Sequence, residues 1–158
     1  MQEPSIFTKI VQGEIPSHKI YEDEKTLAFL DIYSPVEGHT LVIPKKQVEF
    51  VWDLDDGDYM AVMETAKKVA HRLREVLGTP YIGEKVVGVD VPHAHVHLVP
   101  FADTKEFHRA GMENTDPDHD TLAALAARPL AAGGGPDTVS PQLDARARQD
   151  SDHGLSDT

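Results

Sequence analysis

The sequence contains no cysteine. Disulfides and thiolate nucleophiles are therefore excluded, and any metal site is limited to histidine and carboxylate ligands. It also has no apolar stretch approaching the ~20 residues of a membrane-spanning helix. Its first residues, MQEPSIFTKI, lack the basic start and long apolar run of a secretory signal. A cytoplasmic protein without membrane contact is the expectation. Positive charge is scarce as well: 15 Lys plus Arg stand against 27 Asp plus Glu, a formal net charge of -12. Such a surface repels a polyphosphate backbone, which argues against nucleic acid as a partner. A small phosphorylated ligand remains compatible, because a local site can oppose the global charge.

The 158 residues suit one domain with a real core. The composition changes near residue 130. Residues 1–130 carry periodic apolar positions and read as the folded domain. Residues 131–158 are rich in Gly, Asp, Ser and Ala, with almost no large apolar side chains. Such a segment buries too little surface to offset the entropy of ordering, so it reads as a disordered acidic tail. Ile6, Phe7, Ile10 and Val11 have the spacing of a short amphipathic helix that Gly13 ends. Ile20–Tyr21 and Thr26–Asp31 read as strands around an acidic turn, and Gly38–Pro44 as a third. The strongest helix runs from Asp58 to Leu77, with Asp55, Asp56 and Asp58 as N-cap candidates and Gly78 then Pro80 as stops. Lys85–Val91 and His95–Val99 are expected as two further strands, and a last helix after Pro117 runs through Leu122 to Ala127. Five strands, one long helix and short terminal helices predict an α+β fold with an antiparallel sheet.

The informative segment is Val91-Pro-His-Ala-His-Val-His-Leu-Val-Pro100. His93, His95 and His97 alternate with Ala94, Val96 and Leu98. In a strand, this projects all three imidazoles from one face and packs their apolar neighbours into the core from the other. A purely structural role would crowd three rings with pKa values near ~6.5 without evident gain. A metal site is the sharper rival. However, residues two apart on a strand lie about 6.5–7 Å apart and the outer pair about 13 Å, whereas Zn–N bonds are only about 2.0–2.1 Å. Nucleophilic chemistry fits better. Imidazole is largely unprotonated near neutral pH, one ring nitrogen can attack phosphorus, and the other can be held by a hydrogen bond. Neighbouring histidines can donate to phosphate oxygens and the leaving group.

His-x-His-x-His followed by two apolar residues resembles the motif of the histidine triad (HIT) family. Three other blocks are similar, in family order: IFTKIVQGEIP at Ile6–Pro16, YEDEKTLAFLDI at Tyr21–Ile32 and GHTLVIPKK at Gly38–Lys46. The resemblance covers roughly residues 5–101. It implies a HIT-like fold with a five-stranded antiparallel sheet, usually paired as a homodimer with a continuous sheet. It further implies a purine nucleotide substrate of the AMP type, no cofactor, and a covalent nucleotidyl-histidine intermediate. By position, His95 matches the nucleophile, His97 the histidine that contacts phosphate, and His93 the one whose backbone carbonyl supports the nucleophile. His39 matches an additional histidine near the cluster. Asp31 matches the acid that accepts from the ribose hydroxyls, and two acceptor oxygens suit a vicinal diol. Phe7, Ile15 and Ile32 match the walls of the base pocket, although each also suits plain core.

The chain departs from the family at several positions. Relatives with Cys-x-x-Cys at the amino end bind zinc with two histidines, but here the positions are Ser5 and Thr8, so no structural zinc is expected. Where many relatives have Gln-Ser before the triad and an Asn further upstream, this chain has Val89-Asp90 and Ile82. An ionised Asp90 cannot donate a hydrogen bond as a serine would. If Asp90 reaches the phosphate, it disfavours highly anionic leaving groups. Strand parity, however, sets it opposite the triad unless Pro92 bends the chain. The expected activity is hydrolysis of a nucleoside phosphoramidate or dinucleoside polyphosphate at the α-phosphate, leaning to phosphoramidates. The alternatives are a purine nucleotide-binding module with little turnover and a metal-dependent hydrolase.

Overall fold

The computed structural model describes residues 2–128. The expected tail of 131–158 lies outside the described residues. The chain runs α1 (Ile6–Val11), β1 (Lys19–Glu22), β2 (Thr26–Leu30), β3 (Thr40–Pro44), a 3-10 turn (Val51–Asp53), α2 (Asp56–Leu77), β4 (Tyr81–Lys85), β5 (Val96–Phe101), α3 (Thr104–Arg109) and α4 (His119–Ala126). The strands form one antiparallel sheet in the order β1-β2-β3-β5-β4. The α+β expectation and the five-strand count therefore hold, as does the last helix. Among the described residues no helix is long and apolar enough to cross a membrane.

The long helix starts where its cap chemistry directs. Asp55, outside the helix, accepts from the Asp58 N–H with its carboxylate, and Gly78 closes the other end in the left-handed conformation. Val62, Ala66, Val69 and Leu73 form the buried stripe of α2. They pack on Ala28, Leu30, Val42, Val96 and Leu98 of the sheet. Cross-strand partners share a face. The pairs Ala28↔Val42 and Val42↔Val96 mark the face toward α2, and Phe29↔Leu41, Leu41↔His97 and Lys85↔His97 mark the other. On that second face Phe7 and Ile10 of α1 cover Leu27, Phe29, Leu41 and Ile43.

One strand lies elsewhere than expected. The fourth strand is Tyr81–Lys85, not Lys85–Val91. The β-branched valines of that run misdirect a propensity reading. Val86, Val87 and Val89 are all exposed, Gly88 takes a positive φ, and the chain bends through Pro92 into a tight turn in which the His93 N–H donates to the Val91 carbonyl at 2.8 Å. The strand β5 consequently begins at Val96 rather than His95. A short helix unforeseen in the sequence, α3, folds back on the sheet. Its Phe107 fills the space left by the absent side chain of Gly83 and lies against Phe101.

Candidate active site

The strand β5 divides its side chains between the two faces. Val96 and Leu98 enter the core under α2, as does Ala94 just before the strand. The three triad rings gather on the other side, His93 and His95 against Phe7 and His97 against His95. Ring centroids lie 5.9 Å from Phe7 to His93, 5.2 Å from Phe7 to His95 and 5.1 Å from His95 to His97. Only His97 belongs to the regular strand. His93 and His95 sit in the bent approach to it, which explains why the rings cluster instead of standing in a row.

His95 Nδ1 is 2.7 Å from the carbonyl oxygen of His93. A carbonyl only accepts, so Nδ1 carries a proton, and in the neutral ring the lone pair is on Nε2. His93 Nε2 is likewise 2.7 Å from the Pro44 carbonyl and donates to it. Burial pulls the His93 pKa below its ordinary value, against the favourable hydrogen bond to Pro44. The His93 carbonyl thus lies where it holds the Nδ1 side of His95.

A second imidazole pair adjoins the first. His39 Nε2 and His97 Nδ1 are 2.9 Å apart, and His39 Nδ1 is 2.7 Å from Ser34 Oγ. Burial, foremost, lowers both pKa values to about 4; the Lys85 charge adds to the shift in each, and in His97 the neighbouring His39 and His95 do so too. Both rings are therefore neutral at neutral pH. Asp31 Oδ2 lies 3.8 Å from His39 Nδ1, while Asp31 Oδ1 accepts from the Tyr33 N–H at 2.9 Å. One Asp31 oxygen therefore caps the turn and the other faces the cluster. Asp31, Ile32 and His39 also line a cavity of about 210 Å³ closed by Thr121, Leu122 and Leu125 of α4.

The remaining predicted residues are scattered around this centre. Phe7 is buried against the triad, and Ile15 packs half-buried on the Phe7 cluster. Asp90 is exposed in the bend before Pro92 and does not line the cleft beside His95. That cleft, of about 50 Å³, is bordered by Glu49, Phe50, Trp52, Val86 and Gly88. Lys85 was not anticipated. It stands opposite His97 in register, and its ammonium donates to the carbonyls of Phe107 and Ala110, each at 2.8 Å. Its signal in the sequence is a lone cation within a strand of a strongly acidic chain.

Two residue groups invite a metal, and their chemistry decides against one of them. At the amino end, Ser5, Thr8 and His93 meet, but both His93 nitrogens are engaged, at the Pro44 carbonyl and at Ser5 Oγ, 2.8 Å away. Neutral hydroxyls beside an occupied imidazole do not make a zinc site. Asp31, His39 and His97 each offer a ligand atom within 4.8 Å of the others. There the facing nitrogens of the two imidazoles already share a hydrogen bond.

Residues 12–104 match the HIT domain. Among curated proteins, the chain is 43% identical over 104 residues to the protein hit of Bacillus subtilis, covering 62% of this chain and 71% of that one. It is 35% identical over 127 residues to the adenosine 5'-monophosphoramidase HNT1 of Saccharomyces cerevisiae, covering 80% of each. Among solved structures, it resembles a Hit-like protein from Bartonella henselae with a TM-score of 0.70 at 27% identity, over 83% of this chain and 97% of the other. A zinc-bound histidine triad family protein from Mycobacterium smegmatis gives a TM-score of 0.68 at 30% identity, over 89% and 96%.

Proposed function

We propose a function from one premise: the chain belongs to the HIT domain family. It is a nucleotide hydrolase of that family. The finer reading is that it cleaves nucleoside 5'-phosphoramidates of the AMP type through a nucleotidyl intermediate on His95. The observation that carries this is the 2.7 Å hydrogen bond from His95 Nδ1–H to the His93 carbonyl, which leaves the lone pair on Nε2 for attack.

In the first step Nε2 bonds to the α-phosphorus and the phosphorus–amine bond breaks. The departing nitrogen leaves as an amine, taking a proton from solvent at the open side of the cleft. In the second step water attacks the phosphorus and releases a proton to solvent, the bond to His95 breaks with its electron pair returning to Nε2, and the nucleoside monophosphate leaves. We assign the proton order Ser34 Oγ–H to His39 Nδ1, then His39 Nε2–H to His97 Nδ1, so that His97 presents Nε2–H to a phosphoryl oxygen. Asp31 accepts from the ribose diol, and Phe7, Ile15 and Ile32 wall the base. The amine leaving group is favoured because the cleft beside His95 has Glu49 at its border and, among the described residues, no Lys or Arg in its lining to hold a polyphosphate. The monophosphoramidase relative supports the same choice. A homodimer that continues the sheet through one of its edge strands, β1 or β4, completes the reading.

The experiment is a panel of adenosine and guanosine phosphoramidates and diadenosine polyphosphates, with intact-mass detection after acid quench. Phosphoramidate turnover with a nucleotidylated protein supports the reading. Tight nucleotide binding without any adduct or turnover replaces it with the binding module.

A further inference from the structure

We propose that Ser5, oriented by Gln47, is a positioning residue that fixes the ring of His93 and through it the attack geometry of His95. The proposal rests on His95 being the nucleophile. It comes from a closed hydrogen-bond network in which every proton can be placed. The Gln47 amide is held on three sides: its Oε1 accepts from the Ser5 N–H at 2.8 Å and from the Thr8 hydroxyl at 2.6 Å, and its Nε2 donates to the Glu3 carbonyl at 2.9 Å. The Thr8 proton is thereby committed to Gln47. Thr8 Oγ1, 3.3 Å from His93 Nδ1, has no second proton to give it. Ser5 Oγ accepts from the Thr8 N–H at 3.0 Å as the N-cap of α1, and its single proton faces two acceptors, Thr8 Oγ1 at 3.2 Å and His93 Nδ1 at 2.8 Å, of which the shorter contact takes it.

His93 Nε2–H is taken by the Pro44 carbonyl at 2.7 Å, so in the neutral ring Nδ1 is an acceptor. Ser5 Oγ–H meets it at 2.8 Å. The imidazole is thus pinned at both nitrogens, by α1 on one side and by the end of β3 on the other. A pinned side chain holds its own peptide in place, and the carbonyl of that peptide orients His95 Nδ1. The same helix carries Phe7, edge-on to both rings. The cap of α1 therefore couples the wall of the base pocket to the nucleophile across 88 residues of sequence.

Three variants test this. Ser5→Ala removes the donor and the cap together. Ser5→Thr keeps both. Ser5→Gly removes the donor but remains an accepted N-cap residue. The expected result is that Ser5→Ala and Ser5→Gly slow nucleotidylation of His95 about tenfold or more, since small misplacements are costly in rate. KM should change little, Ser5→Thr should keep the wild-type rate, and nitrogen NMR should show the His93 Nδ1 resonance shifted in Ser5→Ala and Ser5→Gly but not in Ser5→Thr. A wild-type rate in Ser5→Gly, or a Ser5→Ala defect that appears only in melting temperature, overturns the positioning role. Wild-type protein that forms no His95 adduct instead overturns the nucleophile reading beneath it.

Discussion

Under α2 the sheet buries Ala28, Leu30, Val42, Val96 and Leu98 against Val62, Ala66, Val69 and Leu73. On the opposite face the same strands carry Leu27, Phe29, Leu41 and Ile43, and beside them the buried imidazoles of His93, His95 and His97. The difference lies in what closes each face. A long amphipathic helix closes the first and admits little polarity beyond the Thr26–Thr65 hydroxyl pair at 2.7 Å. The second is closed by the short helices α1 and α3 and by loops, which leaves an opening and supplies backbone carbonyls to hold ring nitrogens. Burial without a hydrogen-bond partner is costly, so the histidines occupy the face where partners exist. The strand β5 makes the division sharp, turning Val96 and Leu98 one way and His97 the other.

That contrast can be broken from either side. The largest effect is expected from His95→Ala, which closes the two-step route and should lower phosphoramidate turnover by several orders of magnitude with little change in melting temperature. Near wild-type turnover in a steady-state assay would sink the mechanism. On the other face, Leu73→Ala deletes a fully buried side chain. It should lower unfolding free energy by about 2–5 kcal/mol, while the variant still forms the His95 adduct well below its melting temperature. Denaturant titration and intact mass read the two halves separately; a loss of adduct in the folded variant would show that the faces are not independent.

The polar face also makes stability depend on pH. His39 and His97 titrate at about 4 when folded and near 6.5 when unfolded. Above the unfolded value both states are neutral and the stability is fully present. As pH falls from 6.5 toward 4 the unfolded chain takes up protons that the folded one refuses, and stability is lost. The unfolding free energy should decline across that window with a slope approaching two protons. A His39→Asn/His97→Asn double variant should be flatter there, and an unchanged slope would refute the assignment. A smaller effect is expected from Asp31→Ala. Losing an acceptor from the ribose diol should cost about 1–3 kcal/mol in ribonucleotide binding and narrow the preference over 2′-deoxy analogues. If only stability falls, the carboxylate serves the Tyr33 turn alone.

Much of this was legible in the sequence because it follows from local patterns. The period of Val62, Ala66, Val69 and Leu73 and the flanking Asp55 and Gly78 determine α2. The alternation around His95 determines that apolar and imidazole groups part company, and the blocks from Ile6 to Lys46 carry the family likeness. What only the tertiary structure decided depends on groups distant in sequence. Lys85–Val91 has the β-branched content of a strand, yet β5 pairs instead with Tyr81–Lys85, because Gly88 and Pro92 turn the valines outward. The helix α3 has a weak signal of its own, and its dock exists because Gly83 leaves room for Phe107. The tautomer of the neutral His95 ring is set by a carbonyl two residues away, but the ring that steadies this carbonyl is held by Ser5 and Pro44. No spacing rule links positions 5, 44 and 93. Their meeting is fixed by the packing of α1 onto the sheet, which brings three distant stretches of chain into one hydrogen-bond network.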